Sequence, residues 1–344
     1  MVGLAAARRL VWTAQRPVGM ARLASMYAAA LTQRHGAQYA GRLVHTTAVV
    51  GKKGRTGAVQ ADSDVMSRET RVDPTIPGQS LTLAQKARSL IPFYKDGLRE
   101  LWSNVKAEKG INQRIARGEE VTRAEYQVHL RTRVDRLRLV PFAIMAVALL
   151  ELVPFVLVMF PALCPTTCLM YAQMMRKANK LVNTMEKMQP EIRDRLAKVG
   201  LSIGDFETVE SLKRTAASHP SMFAVDGLSS TDLHLVCRYM KINGLWARQR
   251  DDRLRKHLHK HLEIVLTDDH LLNKEQLVDQ LPLVELHRAC YDRGIPSATM
   301  TDVQARKALI NWISLTMKLG STQLGVLPAV WARLVLFDRP VKSS

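Results

Sequence analysis

Residues 281–290 read LPLVELHRAC, and residues 228–237 read LSSTDLHLVC, the same pattern 53 positions earlier. Each copy places an acid before Leu-His and a cysteine three residues after the histidine, and Ile242 and Ile295 keep the offset. A second stretch with apolar residues at helical spacing follows each copy. Leu254, Leu258 and Leu262 form one stripe; Leu309, Ile313 and Met317 form the other after a two-residue shift. A recurrence at this period marks one supersecondary unit used twice, and the unit reads as helix–turn–helix. No alternating segment is long enough for a sheet.

Upstream of the repeat lies LVPFAIMAVALLELVPFVLVMFPALCPTTCLMYAQMM, Leu139–Met175, in which Glu151 is the sole formal charge. Arg136 and Arg138 flank it on one side, Arg176 and Lys177 on the other. A bilayer crossing needs about 20 apolar residues. One crossing, Leu139–Phe160, fits the run, and two do not. Pro141 belongs in the first turn, where its missing N–H is harmless. Pro154 predicts a kink, and Pro161 and Pro165 a helix stop. The expected fold is therefore all-α: a single kinked transmembrane helix followed by a helical domain with two helix–turn–helix repeats. Glu151 falls near the midplane, where desolvation raises a carboxyl pKa. It is a candidate for proton or cation handling, or a protonated acid bonded to a neighbouring helix. One crossing cannot form a pathway alone, so transport through it implies a homo-oligomer.

The chain holds 50 Lys+Arg against 31 Asp+Glu, a net charge of +19. Residues 1–61 contain nine bases and no acid, interspersed with alanine and apolar residues, the pattern of a mitochondrial transit peptide. The rest is still basic, which suits anionic lipid or ribosomal RNA as partner; charge alone does not choose. Residues 62–92 carry Pro74, Pro77, Gly78 and Pro92 and read as a linker. Phe93–Gly118 reads as a helix with Leu98, Leu101, Trp102 and Val105 on its apolar side. Glu119–Arg138 reads as a second helix, with Thr122 and Glu125 as a capping box. Arg176–Gly200 reads as a charged amphipathic helix, and Leu201–His219 gives no clear pattern. The bases flanking the run are nearly balanced, five in Glu119–Arg138 and four in the twenty residues after Ala172, so the positive-inside rule casts no vote.

The densest charge lies at residues 248–261, RQRDDRLRKHLHKH. With the leucine stripe pointing inward, Arg248, Arg250, Arg253, Arg255, Lys256 and Lys260 form a basic face able to clamp phosphates, or simply a solvated surface. Arg288 and Arg293, in the second repeat, join them as phosphate-binding candidates. His257 and His261 have a possible metal spacing, but the surrounding cations argue against a metal site. Cys237 and Cys290 read as buried apolar residues. Asp251-Asp252 and Asp268-Asp269 lack the spacing of a calcium loop. No nucleotide loop, zinc motif or nucleophile elbow is present, so neither an enzyme active site nor a cofactor is expected.

Three blocks taken in order resemble a known family. They are Phe93–Trp102 (FYKDGLRELW), Arg138–Phe142 (RLVPF) with Phe160–Thr167 (FPALCPTT), and the repeat with its Ala289-Cys290-Tyr291-Asp292-Arg293-Gly294 segment. From about Phe93 to Phe337 the chain resembles the LETM family of the mitochondrial inner membrane. The resemblance implies a single span and a helical domain in the matrix. It further implies potassium/proton homeostasis, with calcium/proton exchange assigned to some members, and contact with the mitochondrial ribosome. It carries over Pro141, Pro161 and Pro165 and places Glu151 where the family has an intramembrane acid. Departures are the missing second proline before that acid and apolar Val158 or Met159 where a base often precedes the Phe-Pro. No EF-hand tail follows the repeat. The implied domains are 1–61 transit peptide, 62–92 linker, 93–138 amphipathic helices, 139–175 transmembrane segment, 176–219 connecting helices and 220–340 ribosome-binding-like domain.

Overall fold

The computed structural model describes residues 73–78, 82–148, 165–242, 250–320, 323–337 and 339–342. Among them the secondary structure is helical, apart from one isolated bridge between Thr208 and Lys342. The all-α expectation holds for these residues.

Helix α1 spans Leu83–Ala116 and α2 spans Arg123–Ala148. They pack together as a hairpin. Helix α1 begins ten residues before the expected Phe93, inside the segment read as a linker. Thr82 and Gln85 form a capping box there, so the start has its own local cause. Pro92, read as part of the linker, sits exposed within the helix. The expected box at α2 is present: Glu125 N donates to Thr122 Oγ1 at 3.3 Å and Thr122 N to Glu125 Oε2 at 2.9 Å. The buried face of α1 is Phe93, Gly97, Leu101, Glu108 and Ile111, whereas Trp102, expected inside, is 62% exposed under the Lys106 ammonium.

Helix α2 continues through Pro141 to Ala148, which places this proline deep in a helix and not in its first turn. Glu151, Pro154 and Pro161 lie outside the described residues. Among the described residues no helix is long and apolar enough to cross a membrane. The end of the apolar run is protein core: Cys168, Leu169, Met170, Tyr171 and Met174 are buried. Tyr171 already belongs to α3, Tyr171–Val199, which ends at Gly200 with φ +75°. Pro165, with φ −55° and ψ 151°, immediately precedes a 3-10 turn, Thr166–Cys168.

The unread stretch after Gly200 folds as a 3-10 turn, Ile203–Phe206, then α4, Val209–Ser218, and the single turn α5, Pro220–Phe223. Thr208 caps α4 by accepting from Ser211 N. The repeat then follows: α6, Ser230–Tyr239; α7, Asp251–Glu275; α8, Leu283–Asp292; and α9, Asp302–Leu319. Last comes α10, Gln323–Leu336, whose Val326, Leu327, Ala329, Val330, Trp331 and Ala332 are fully buried. A helix apolar all round belongs inside, and α10 packs on α3, α7 and α9.

The two repeat copies match beyond the residues that revealed them. Helices α6 and α8 start and stop at the same offset of 53. A 3-10 turn precedes each, Val225–Gly227 and Val278–Gln280. Each first helix closes with an equivalent bond, Ile242 N to Cys237 O at 2.9 Å and Ile295 N to Cys290 O at 2.8 Å. The residue before it is left-handed in both, Lys241 with φ 54° and Gly294 with φ 71°. The second helices are offset by 51, because the second connecting loop is two residues shorter. The stripe Leu254, Leu258, Leu262 therefore corresponds to Ala305, Leu309, Ile313, all buried, and the expected shift runs in the opposite direction.

Candidate phosphate-binding face and the buried ion network

Helix α7 separates the candidate bases into two populations. Burying Leu254, Leu258, Leu262 and Val265 turns Arg253, Lys256, His257 and Lys260 to solvent along one stripe. Among the described residues no ion pair is recorded for Arg253, Lys256 or Lys260, while the neighbouring Arg250 reaches Asp252 at 3.5 Å. Partial burial, then the charges of Lys260 and Arg253, hold the His257 imidazole below its usual range. His129 of α2 is lowered by burial and by Arg133 and Lys260, against the pull of Glu108. The basic stripe of α7 thus adjoins a basic residue of α2. Arg248 lies outside the described residues.

Three candidates leave this surface. Arg255 turns back to bond the carbonyls of Asp226 at 3.2 Å and Leu228 at 2.6 Å, and also that of Val225. Arg306, at the equivalent place in the second copy, bonds Leu281 O at 2.8 Å and Val278 O. One arginine per copy thus satisfies the end of the preceding 3-10 turn, a structural duty. A second shared device joins the copies: His234 Nε2 lies 3.0 Å from Asp251 Oδ1, and His287 Nε2 lies 3.3 Å from Asp302 Oδ1. The signal was in the sequence, as Val-Asp-x-Leu at 225–228 and 278–281 and Asp-x-x-x-Arg at 251–255 and 302–306.

Arg288 is taken up by Glu285 at 3.0 Å and by Thr166 O at 3.2 Å. Arg293 is 1% exposed, so it cannot meet a phosphate partner at the surface. Its guanidinium donates to Asp269 Oδ1 at 2.7 Å, Asp268 Oδ2 at 2.8 Å and Ala289 O at 3.0 Å. Asp268 also accepts from Arg123 at 2.8 Å and Gln127 at 2.7 Å. Asp269 accepts from Trp312 Nε1 at 3.0 Å and Thr316 Oγ1 at 3.1 Å. The acid pair without calcium spacing is the centre of a buried ion network that links α2, α7, α8 and α9.

Burial alone raises the Asp268 carboxyl, but the Arg293 and Arg123 guanidinium groups outweigh it and hold it at about 2. A depressed carboxylate pKa stabilises the fold above its unfolded value, and the gain is lost as pH falls toward the folded value. Stability is therefore expected to drop by on the order of 2 kcal/mol between about pH 4 and pH 2. Denaturant midpoints measured across that window check this, and Asp268→Asn should flatten the dependence.

His261 Nε2 lies 2.9 Å from Asp292 O. Cys237 and Cys290 are fully buried, and burial pushes both thiols up to about 12, consistent with packing residues.

A second polar cluster joins the two ends of the apolar run. Thr166 N and Oγ1 donate to Asp135 at 2.9 and 2.6 Å. Arg131 clasps Glu285 with bonds of 2.8 and 2.6 Å, and Glu285 also holds Arg288. Just beyond, Tyr171 N donates to Asp73 Oδ2 at 2.6 Å and Ala172 N to Thr75 Oγ1 at 3.1 Å. The sequence offered no sign that residues 31 and 154 positions apart would meet.

Residues 121–328 match the family described as "LETM1-like, RBD". A fission yeast protein named LETM1 domain-containing protein mdm28, mitochondrial, is 26% identical over 284 residues, covering 76% of this chain and 59% of that protein. A Drosophila melanogaster protein named mitochondrial proton/calcium exchanger protein is 26% identical over 247 residues, covering 65% of this chain and 24% of that protein. The chain thus spans less than two thirds of the length of these relatives. No solved structure matches. With more than half of its residues matched, and with the repeat and its ion network inside the matched region, the chain belongs to the LETM1-like family.

Proposed function

We propose that this chain is a mitochondrial inner-membrane protein that supports cation/proton exchange, with potassium/proton as the exchanged pair. The observation that supports cation/proton exchange is the family match over residues 121–328 together with a relative named as a mitochondrial proton/calcium exchanger; the choice of potassium rests on the family resemblance alone. The apolar run attaches the protein to the bilayer, and the C-terminal helices face the matrix. Glu151 is the residue of the run suited to proton coupling, since a lone carboxylate in hydrocarbon is costly unless it works with a proton or cation. In proteoliposomes, Glu151→Gln is expected to slow potassium-driven proton flux at least tenfold. Flux equal to that of the parent chain would remove Glu151 from the mechanism.

A second reading is favoured by the solvent-facing stripe of α7. Three bases at helical spacing, with no acid partner among the described residues, suit a phosphate backbone, and the mitochondrial ribosome is the polyanion that the family resemblance points to. Arg253, Lys256 and Lys260 changed together to Glu are expected to weaken salt-sensitive co-sedimentation with ribosomes by more than tenfold. Arg255 is left out of this variant because its loss would unmake the turn before α6. Undiminished binding by the folded triple variant would sink the tethering role.

A further inference from the structure

We infer that the open face of α9 is a docking groove for an amphipathic helix of another protein. The two copies of the repeat differ at this face. With the second helices offset by 51, Val303, Ile310 and Met317 of α9 correspond to Asp252, His259 and Leu266 of α7. In the first copy the outer places are polar. Asp252 is exposed, and His259 Nε2 lies 3.1 Å from Asp226 Oδ1 in the preceding 3-10 turn. In the second copy the same places are apolar and still open: Val303 is 76% exposed and Ile310 44%. Asp279, the equivalent of Asp226, faces isoleucine where its counterpart has histidine. Exposed apolar side chains seven residues apart lie on one side of a helix, and such a patch marks a contact surface.

The surroundings of Ile310 say what fits. A groove of about 390 Å³ opens between the end of α7, the 3-10 turn Val278–Gln280 and α9. Leu272, Val278, Ile310, Ile313 and Met317 make its apolar floor. Asp279 and Lys318, both exposed, stand at its edge, and among the described residues no ion pair is recorded for either. By equivalence with the Asp226–His259 pair, Asp279 marks the Ile310 end. Lys318 is eight residues farther along α9, about 12 Å at roughly 1.5 Å per residue. A helix complementary to this groove carries a base and an acid seven or eight positions apart, to meet Asp279 and Lys318. Large apolar residues three or four positions from each would fill the floor. A phosphate surface would meet the Asp279 carboxylate as a like charge and leave the floor unfilled. The first copy shows a helix beside the corresponding side: Glu263 and Thr267, the equivalents of Ser314 and Lys318, neighbour Tyr126 of α2. Arg123 and Gln127 already hold α2 to α7, so the α2 of a second copy is not free to serve as the occupant.

The experiment uses the full-length chain in mitochondria, with the photoreactive residue benzoylphenylalanine replacing Ile310 or, separately, Ser314. Linked peptides are identified by mass spectrometry. The expected result is one dominant adduct, the same from both positions, on a segment of another protein with the base–apolar–acid spacing described. Asp279→Lys combined with Lys318→Glu is expected to lower its yield at least tenfold, because each rim charge then meets its like. Both positions are exposed, so the unfolding midpoint should stay that of the parent. If that variant unfolds, Asp279→Asn combined with Lys318→Gln takes its place, with a severalfold loss expected. The probe replacing Glu210, exposed on α4 outside the groove, should not give the adduct. Adducts confined to the same chain, to a second copy or to lipid overturn the inference. So do the absence of any adduct, a yield indifferent to the rim charges, and the same adduct from position 210.

Discussion

Arg293→Met is expected to destabilise the helical domain by about 3–5 kcal/mol, the cost of leaving a buried charge without its partner. Methionine fills much of the volume, so packing changes little. What is lost is the guanidinium that joins Asp268, Asp269 and the carbonyl of Ala289. Two adjacent carboxylates, 4% and 0% exposed, would then share Arg123, Trp312, Gln127 and Thr316. Denaturant unfolding of the purified chain in detergent measures the loss. Arg293→Lys should fall between the two, because an ammonium keeps the charge but not the planar fork. Adding Asp269→Asn to Arg293→Met should restore part of the stability, since the two changes act on one network and are not additive. A variant within about 1 kcal/mol of the parent would show that the network is not what holds α8 on α7.

Gly294→Ala carries the next largest expected effect. Gly294 has φ +71°, and a Cβ there would fall 2.4 Å from the Tyr239 hydroxyl and 2.5 Å from Cζ. That hydroxyl donates to Gly294 O at 2.7 Å, so the ring cannot withdraw without losing a buried bond. A left-handed L-residue costs about 1–2 kcal/mol, and overpacking adds about 1–3 kcal/mol. The sum is a loss of about 2–5 kcal/mol. The repeat supplies its own control. Lys241 holds the equivalent place with φ 54°, and there Lys241→Gly should change stability by less than about 1 kcal/mol. Equal effects at the two positions would rule out the Tyr239 contact as the cause.

These two residues show where the reading of the chain stopped. Arg293 looked like one more base in a basic protein, and nothing local marks it as buried. Its partners lie 24 and 25 positions away on another helix. Arg255 is subtler. The leucine stripe placed it outside the core, which is right, but its carbonyl partners are 27 to 30 positions upstream. Charge tells that a side chain wants a partner and not which one. Trp102 was misplaced for a related reason: large and apolar, it was counted inward, yet Phe93, Gly97, Leu101 and Ile111 already fill the buried face of α1. Pro92 was read as part of a linker, yet it sits exposed within a long, well-capped helix.

The helix–turn–helix repeat was legible because α-helical periodicity is a local property. A run of apolar residues every three or four positions declares its own inward face, and copying such a run 53 residues on declares a copied unit. The all-helical class, the capping box of α2 and the buried cysteines follow from short stretches alone. The apposition of Asp135 and Thr166, the network around Asp268 and Asp269, and the surviving stripe of Arg253, Lys256 and Lys260 do not. Each depends on which helices meet, and a meeting between residues far apart in the chain is set by how whole surfaces fit, so no short stretch contains it.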